Sequence, residues 1–318
     1  MRKNILLLFI LFNFGSVFSQ TDAITNLINE TDELNLDMRD FVNYAKDKIK
    51  DKTELTKFFY YWVGTHIEYD YVLFQSVLDK TVDPNQFQST QDEYVVYENR
   101  KGICAGYANL FKWFMNEIDI EAVVVSGHIR DERNHYVELS SDDNYRHAWN
   151  SIKLNNKWLL VDSTWGTSDD ISVSDFYFDI DPNIAIISHY PSEPKWQLLE
   201  NPLSLEEFNN SKFVKPIWFF SGYTDIPTLK ADNDFYYLVY QSNPNKNCSV
   251  ELMYSIDNSN FYPIKNLVKI EQDNFTYLRF PKKEISKTAY FKLNLTISKM
   301  YGNTRNTFIT NGTINFKT

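Results

Sequence analysis

The sequence predicts an α+β fold in which a cysteine-bearing helix packs on an antiparallel sheet, followed by an all-β sandwich domain. Three observations predict it. Over 40–49, 51–64 and 104–118 apolar residues recur at intervals of three and four, the helical period. From Glu121 the pattern turns to valine-rich alternation. Beyond about Lys215 the chain reads as strands only, separated by Asn, Asp, Ser, Pro and Lys.

The chain of 318 residues, 43% hydrophobic and 16% aromatic, is long enough to bury two ordinary cores. Its net charge of -10, with no cluster of Lys and Arg, excludes a nucleic-acid partner, because such binding rests on basic residues that displace counterions. At the N-terminus Arg2 and Lys3 precede an almost wholly apolar run, Ile5 to Phe14, and Val17-Phe18-Ser19 approximates a cleavage site. This predicts a signal peptide at 1–19, export to the periplasm or beyond, and a mature chain from Gln20. The run is shorter than the roughly 20 residues of a bilayer span, so no stable membrane anchor is expected.

Taken in order, Asp22 to Leu36 is polar and reads as loop or short helix. Phe41, Val42, Ala45 and Ile49 mark a helix over 40–49. Asp51 with Glu54 signals the start of another, carrying Leu55, Phe58, Phe59, Trp62 and Val63 on a core-facing side and ending at Gly64. Residues 71–98, with Pro84 and several Gln, read as a long surface loop. Cys104 then opens a helix whose apolar residues run from Ala105 through Phe111 and Phe114 to Ile118. Extended runs follow at 121–129, 146–154 and 157–164, the last two joined by Asn155-Asn156 as a two-residue hairpin turn. Further strands are expected at 235–241, 250–256, 275–280 and 289–297. The predicted division is a helical lead-in and core over 20–205 and a β-sandwich over 206–318, the usual size for that architecture.

The hairpin turn carries a geometric consequence. If Leu154 faces Lys157, facing pairs share a constant index sum, so Trp149 faces Asp162 and His147 faces Thr164. His147 and Asp162 then lie one diagonal step apart on one face, within reach of an imidazole and a carboxylate. Cys104 sits in the first turn of its helix, where free N–H groups and the dipole favour a thiolate, and a protonated imidazole favours it further. Gly102, Ala105 and Gly106 are small enough to let another chain approach the sulfur. If the helix end packs on the His-Asp face, Cys104 is a nucleophile, His147 a base and Asp162 its orienter. The backbone N–H of Cys104 would contribute to holding the oxyanion. Gly106, Trp149 and Trp165 are candidates for contacting substrate.

The remaining histidines and Cys248 carry less. His128 and His135 flank RDERN, His66 lies between a helix and a strand, and His189 either shapes the cleft or caps a turn, the structural reading being preferred. No HExxH or CxxC spacing suggests a metal, and no cofactor is expected. Cys248 beside a strand is a packing residue. Both cysteines are expected to be free, since they fall in different predicted domains.

GICAGYANLF together with RHAWNSIKLNNKWLLVDSTWG resembles the transglutaminase-like superfamily, whose papain-like core carries Cys, His and Asp in that chain order. The resemblance extends back to FFYYWVGTHIEYD and forward to HYPSEPKWQLL, which is similar to the kyphoscoliosis-peptidase-like branch, and covers roughly Thr53 to Leu199. It implies that Cys104, His147 and Asp162 are the catalytic residues. Ser163 stands where many relatives have proline, and the carboxylate before it is kept. The resemblance implies acyl chemistry on the amides of a protein or peptide substrate, by a cysteine peptidase or a transglutaminase. The superfamily also has inactive members, so the alternative is a binding or scaffold module for protein or cell-wall ligands.

Overall fold

In a computed structural model of the protein, residues 15–131, 137–140, 145–167, 175–243, 247–285, 289–301 and 304–317 are described. They form two compact units that do not follow chain order: residues up to Ser126 with His147–Pro182, and Gly127–Arg146 with Asn183–Thr318.

The first unit begins with α1 (Gly15–Leu34). The first fourteen residues of the expected leader lie outside the described residues. Where the sequence suggests loop or short helix, the helix is a long one, and Ile24, Leu27, Ile28 and Thr31 form a buried stripe at helical spacing, diluted in the sequence by polar neighbours. No described helix is long and apolar enough to cross a membrane. Next come α2 (Met38–Lys48) and α3 (Lys52–His66), capped by Asp37 and Asp51, whose carboxylates accept first-turn N–H groups. Helix α3 runs past Gly64, because Val63 and Gly64 are buried and the packing outweighs the propensity of one glycine.

The expected loop over 71–98 is instead three short helices: α4 (Tyr71–Leu78), α5 (Pro84–Thr90) and α6 (Glu93–Asn99). Helices α4 and α5 bury no residue, so they have no apolar stripe to read. Their local signals are the caps Asp70, Asp83 and Asp92, with Pro84 in the first turn of α5. Left-handed Arg100 ends α6, and its guanidinium lies 4.6 Å from the Trp62 ring centre and 4.1 Å from that of Tyr97. Strands β1 (Glu68–Tyr69) and β2 (Lys101–Gly102) pair in parallel just before α7 (Cys104–Glu117).

Helix α7 turns Leu110, Phe111 and Phe114 into the core of this unit. Phe114 stacks on Phe59 at 4.6 Å and meets Phe41 edge-on at 5.6 Å; such pairs contribute about 0.5–1.5 kcal/mol each beyond their buried area. The sheet beside it runs β6-β5-β4-β3, with β3 (Ala122–Ile129) belonging to this unit only as far as Ser126. Strands β4 (Arg146–Leu154) and β5 (Lys157–Val161) form the expected hairpin, with Leu154 facing Lys157 and Asn150 facing Val161. Asn155 and Asn156 take φ of 50° and 63°, the left-handed pair that a tight hairpin turn requires and that Asn tolerates. Strand β5 stops at Val161 and not at Thr164, because Asp162 draws the next residues into a turn. β6 (Phe178–Ile180) completes the edge.

In the second unit Gly127–Ile129 pairs with β7 (His189–Pro191). A helix over Leu205–Asn210 opens with a capping box, Ser204 with Glu207. Buried Arg130 lies against Phe208 and donates to the carbonyls of Phe208 and Ser211 and to the Ser211 hydroxyl. Burial lowers its pKa to about 10. The sandwich is built from β8 (Phe213–Val214), β9 (Thr228–Ala231), β10 (Phe235–Gln241), β11 (Cys248–Ser255), β12 (Tyr262–Pro263), β13 (Val268–Gln272), β14 (Phe275–Pro281), β15 (Tyr290–Tyr301) and β16 (Thr304–Lys317). One sheet is ordered β13-β14-β10-β9 and another β12-β11-β15-β16-β8. Of these strands, β10 matches the expected span, while β11, β14 and β15 differ by a few residues at their ends. Leu238 and Phe280 from the first sheet share a core with Leu252, Phe291 and Leu293 from the second. This stretch is not strands only: a helical turn at Ile217–Phe220 buries Trp218 against Tyr223, and another turn spans Lys282–Glu284.

Candidate active site

Cys104 is the first residue of α7 and is half-buried. Asn150, fully buried on β4, donates through Nδ2 to the carbonyl of Ala108 on α7 at 3.0 Å and of Val123 on β3 at 3.3 Å. One side chain thereby ties the cysteine helix to two strands, which fixes where the thiol meets β4. Sequence reading missed Asn150; its only signal is an amide in the otherwise apolar run AWNSI.

His147 on β4 and Asp162 just after β5 are both buried, and His147 Nε2 lies 2.8 Å from Asp162 Oδ2. The diagonal contact expected from the Asn-Asn turn is present. The other carboxylate oxygen, Oδ1, accepts the N–H groups of Thr164 at 2.9 Å and Trp165 at 3.0 Å. The Gly166 N–H bonds the Asp162 carbonyl, and the Asp162 N–H bonds that of Tyr177, both at 2.9 Å. Asp162 is thus held in an Asx-type turn that aims one oxygen at the imidazole.

A carboxylate oxygen only accepts, so Nε2 is the donor in that bond and Nδ1 is left to face the thiol, with which the ring also hydrogen-bonds. Burial of the Cys104 thiol opposes its ionisation; the hydrogen bond and charge of His147, with the Ala148 N–H, outweigh this and lower its pKa. For His147, burial opposes the charge, and the Asp162 carboxylate, through charge and hydrogen bond, raises the pKa to about 10 with help from the thiolate. Both directions favour a thiolate–imidazolium pair. Burial, with the Asp162 charge adding to it, keeps the phenols of Tyr60 and Tyr177 protonated.

Of the candidates for substrate contact, Trp149 is 2% exposed and its ring lies 6.0 Å from that of His147. It covers the imidazole. Trp165, partly exposed, lies 5.5 Å from the same ring on a different neighbour set, being edge-on to Tyr177. Gly106 is buried, and a Cβ there would fall 2.7 Å from Gln91 Oε1 and 2.9 Å from Val96 Cγ2. Its smallness admits Gln91, a residue the sequence did not single out. His66 bonds Asp32 at 2.8 Å, His128 lies buried on β3, His189 bonds Ser188 at 2.8 Å, and His135 lies outside the described residues. Cys104 and Cys248 are both free.

The family model of the transglutaminase-like superfamily matches residues 39–163, a span that includes Cys104, His147 and Asp162. Residues 39–163 belong to the transglutaminase-like superfamily. The chain is 29% identical to kyphoscoliosis peptidase of Mus musculus over 214 residues, 65% of this chain and 30% of that protein. It is 31% identical to the Homo sapiens protein of the same name over 169 residues, 51% and 24% of the two chains. With hillarin of Drosophila melanogaster the identity is 24% over 202 residues, 57% of this chain and 25% of that one. The chain spans about a quarter to a third of the length of these relatives. A solved structure titled "Crystal structure of a TGase" overlaps 51% of this chain and 35% of its own at 20% identity and a TM-score of 0.31.

Proposed function

We propose that the protein is an exported thiol-dependent enzyme that cleaves or transfers the acyl group of peptide or side-chain amides through a thioester at Cys104. The observation that carries this reading is the buried His147 bonded on one side to Asp162 and on the other to the Cys104 thiol. The thiolate sulfur attacks the amide carbonyl carbon and forms the C–S bond. The imidazolium of His147 gives its proton to the departing nitrogen as the C–N bond breaks. Water or an amine, losing a proton to His147, then attacks the thioester carbon; the C–S bond breaks, and the thiolate–imidazolium pair is restored. Asp162 holds the ring in the orientation that both steps need. The name peptidase borne by the two mammalian relatives supports water as the acceptor.

Labelling by a peptidyl vinyl sulfone, read by peptide mapping, tests the reading. Wild-type protein should be labelled at Cys104, and Cys104→Ala should lose the label while keeping its melting temperature. Labelling that persists in the variant, on Cys248, would sink the assignment, and absence of labelling in both would favour a scaffold that binds protein or cell-wall ligands. Export is supported by Arg2, Lys3 and the apolar Ile5–Phe14. Mass spectrometry of the natural protein should find Gln20 at its N-terminus, and an intact Met1 would overturn export by cleavage.

A further inference from the structure

The first turns of five successive helices are capped alike. Asp37, Asp51, Asp70, Asp83 and Asp92 precede α2 to α6, and each carboxylate accepts N–H groups of the turn it opens. Helix α7 departs from this: its N-cap is Ile103, extended and without a side chain able to accept. The acceptor arrives from twelve residues upstream. Gln91 Oε1 takes the N–H of Ile103 at 3.0 Å and of Gly106 at 2.9 Å. These are the N-cap and third positions, so the cap brackets Cys104 and leaves the N–H groups of Cys104 and Ala105 outside its grip.

Gln91 is held firmly enough to do this. It is 2% exposed, its own N–H closes the end of α5, and its carbonyl accepts Nδ2 of Asn109, one turn further along α7, at 2.8 Å. Gly106 leaves the space its amide occupies. The chemistry of this oxygen differs from that of the other five caps, for it is neutral. A carboxylate in this position would offset the positive end of the α7 dipole and repel a thiolate in the same turn. The ionisable groups that act on the thiol are His147, which favours its charge, and Asp162, which opposes it. A second anion would add to Asp162.

We propose that Gln91 is a positioning residue for Cys104: its neutral amide oxygen caps the cysteine helix where aspartate caps the others, fixing the first turn without placing a negative charge beside the nucleophile. The role rests on the reading of Cys104 as a nucleophile.

The test is the pH dependence of iodoacetamide alkylation of Cys104 in the full chain, read by peptide mapping beside a melting curve. Gln91→Glu keeps an acceptor and adds the charge. Its alkylation midpoint should rise by about one unit, a roughly tenfold loss of rate below the midpoint. Gln91→Met is neutral and offers only a weakly accepting sulfur; it should melt lower and keep the wild-type midpoint. If Gln91→Glu does not fold, Ala105→Asp brings a carboxylate to the half-exposed second position of the same turn, and the same rise is expected. A folded Gln91→Glu with the wild-type midpoint overturns the proposal, as does an unmoved midpoint in Ala105→Asp when the first variant fails to fold. The two readings fail separately. A low wild-type midpoint that neither carboxylate shifts removes the role of Gln91 alone, whereas wild-type Cys104 titrating as an ordinary thiol and indifferent to His147→Ala overturns both.

Discussion

The two cysteines lie in half-buried sites of opposite character. At the start of α7, Cys104 has an imidazole and a backbone N–H on its sulfur, and its pKa falls although burial pushes the other way. At the start of β11, Cys248 packs against the sandwich core, its Sγ 3.8 Å from the Ser221 carbonyl, and burial alone raises its pKa. The difference teaches that burial by itself makes a thiol inert. What lowers the Cys104 pKa is an imidazole brought to it across the sheet and held by a carboxylate. Each link in that chain can be cut.

The largest effect is expected at Asp162→Asn. The amide retains one oxygen for the N–H groups of Thr164 and Trp165, and its NH2 then faces Nε2, which forces the imidazole proton onto Nδ1 and blocks transfer from the thiol. Turnover of an amide substrate should fall by roughly 10⁴-fold, the scale of a wrong tautomer in a catalytic triad, with the melting temperature little changed. Turnover within tenfold of wild type would show that the carboxylate does not orient the ring.

His147→Ala should make Cys104 resemble Cys248. In the wild type the thiolate forms as pH rises through a lowered pKa, and the imidazolium persists up to about pH 10, so the ion pair spans the range between. Without the imidazole only burial remains as a strong influence, and the midpoint should rise above that of an ordinary thiol. Alkylation near neutral pH should drop by about tenfold for each unit of that rise. Equal rates in the two proteins would mean that the pair is not formed.

The support beneath Asp162 gives a smaller, thermodynamic test. A Cβ on Gly166 would fall on the buried hydroxyl of Tyr60, too close for either to remain in place. Gly166→Ala should cost roughly 1–3 kcal/mol in a melting experiment, as overpacking of a tight site does. Tyr60→Phe, which deletes the obstructing oxygen, should recover part of that loss in the double variant; strictly additive effects would place the strain elsewhere. The smallest effect is expected at Cys248→Ser, where the melting temperature should shift by only a degree or two and alkylation of Cys104 should be untouched. A large change in either would show that the two sites communicate.

Much of the site was legible because it depends on local rules. The turn chemistry of Asn155-Asn156 set the hairpin register, the register set which residues share a face, and the pair His147–Asp162 followed. Cys104 at a helix start followed from the apolar spacing beyond it. The short helices over 71–99 escaped because caps without a buried stripe leave no periodic signal, and the run of Asp caps shows only when the helices are already known.

The sequence by itself therefore determined the α+β order, the thiol in the first turn and the register of His147 and Asp162, all consequences of period-two, period-3.6 and turn preferences over a few residues. Only the tertiary structure decided that Asn150 anchors α7 through Ala108, forty-two residues away, that Gln91 caps that helix in place of Ile103, and that Gly127–Arg146 joins the C-terminal unit. The physical reason is common to the three. A buried donor must find an acceptor wherever the packed chain supplies one, and that choice is made between segments far apart in sequence, where no local spacing records it.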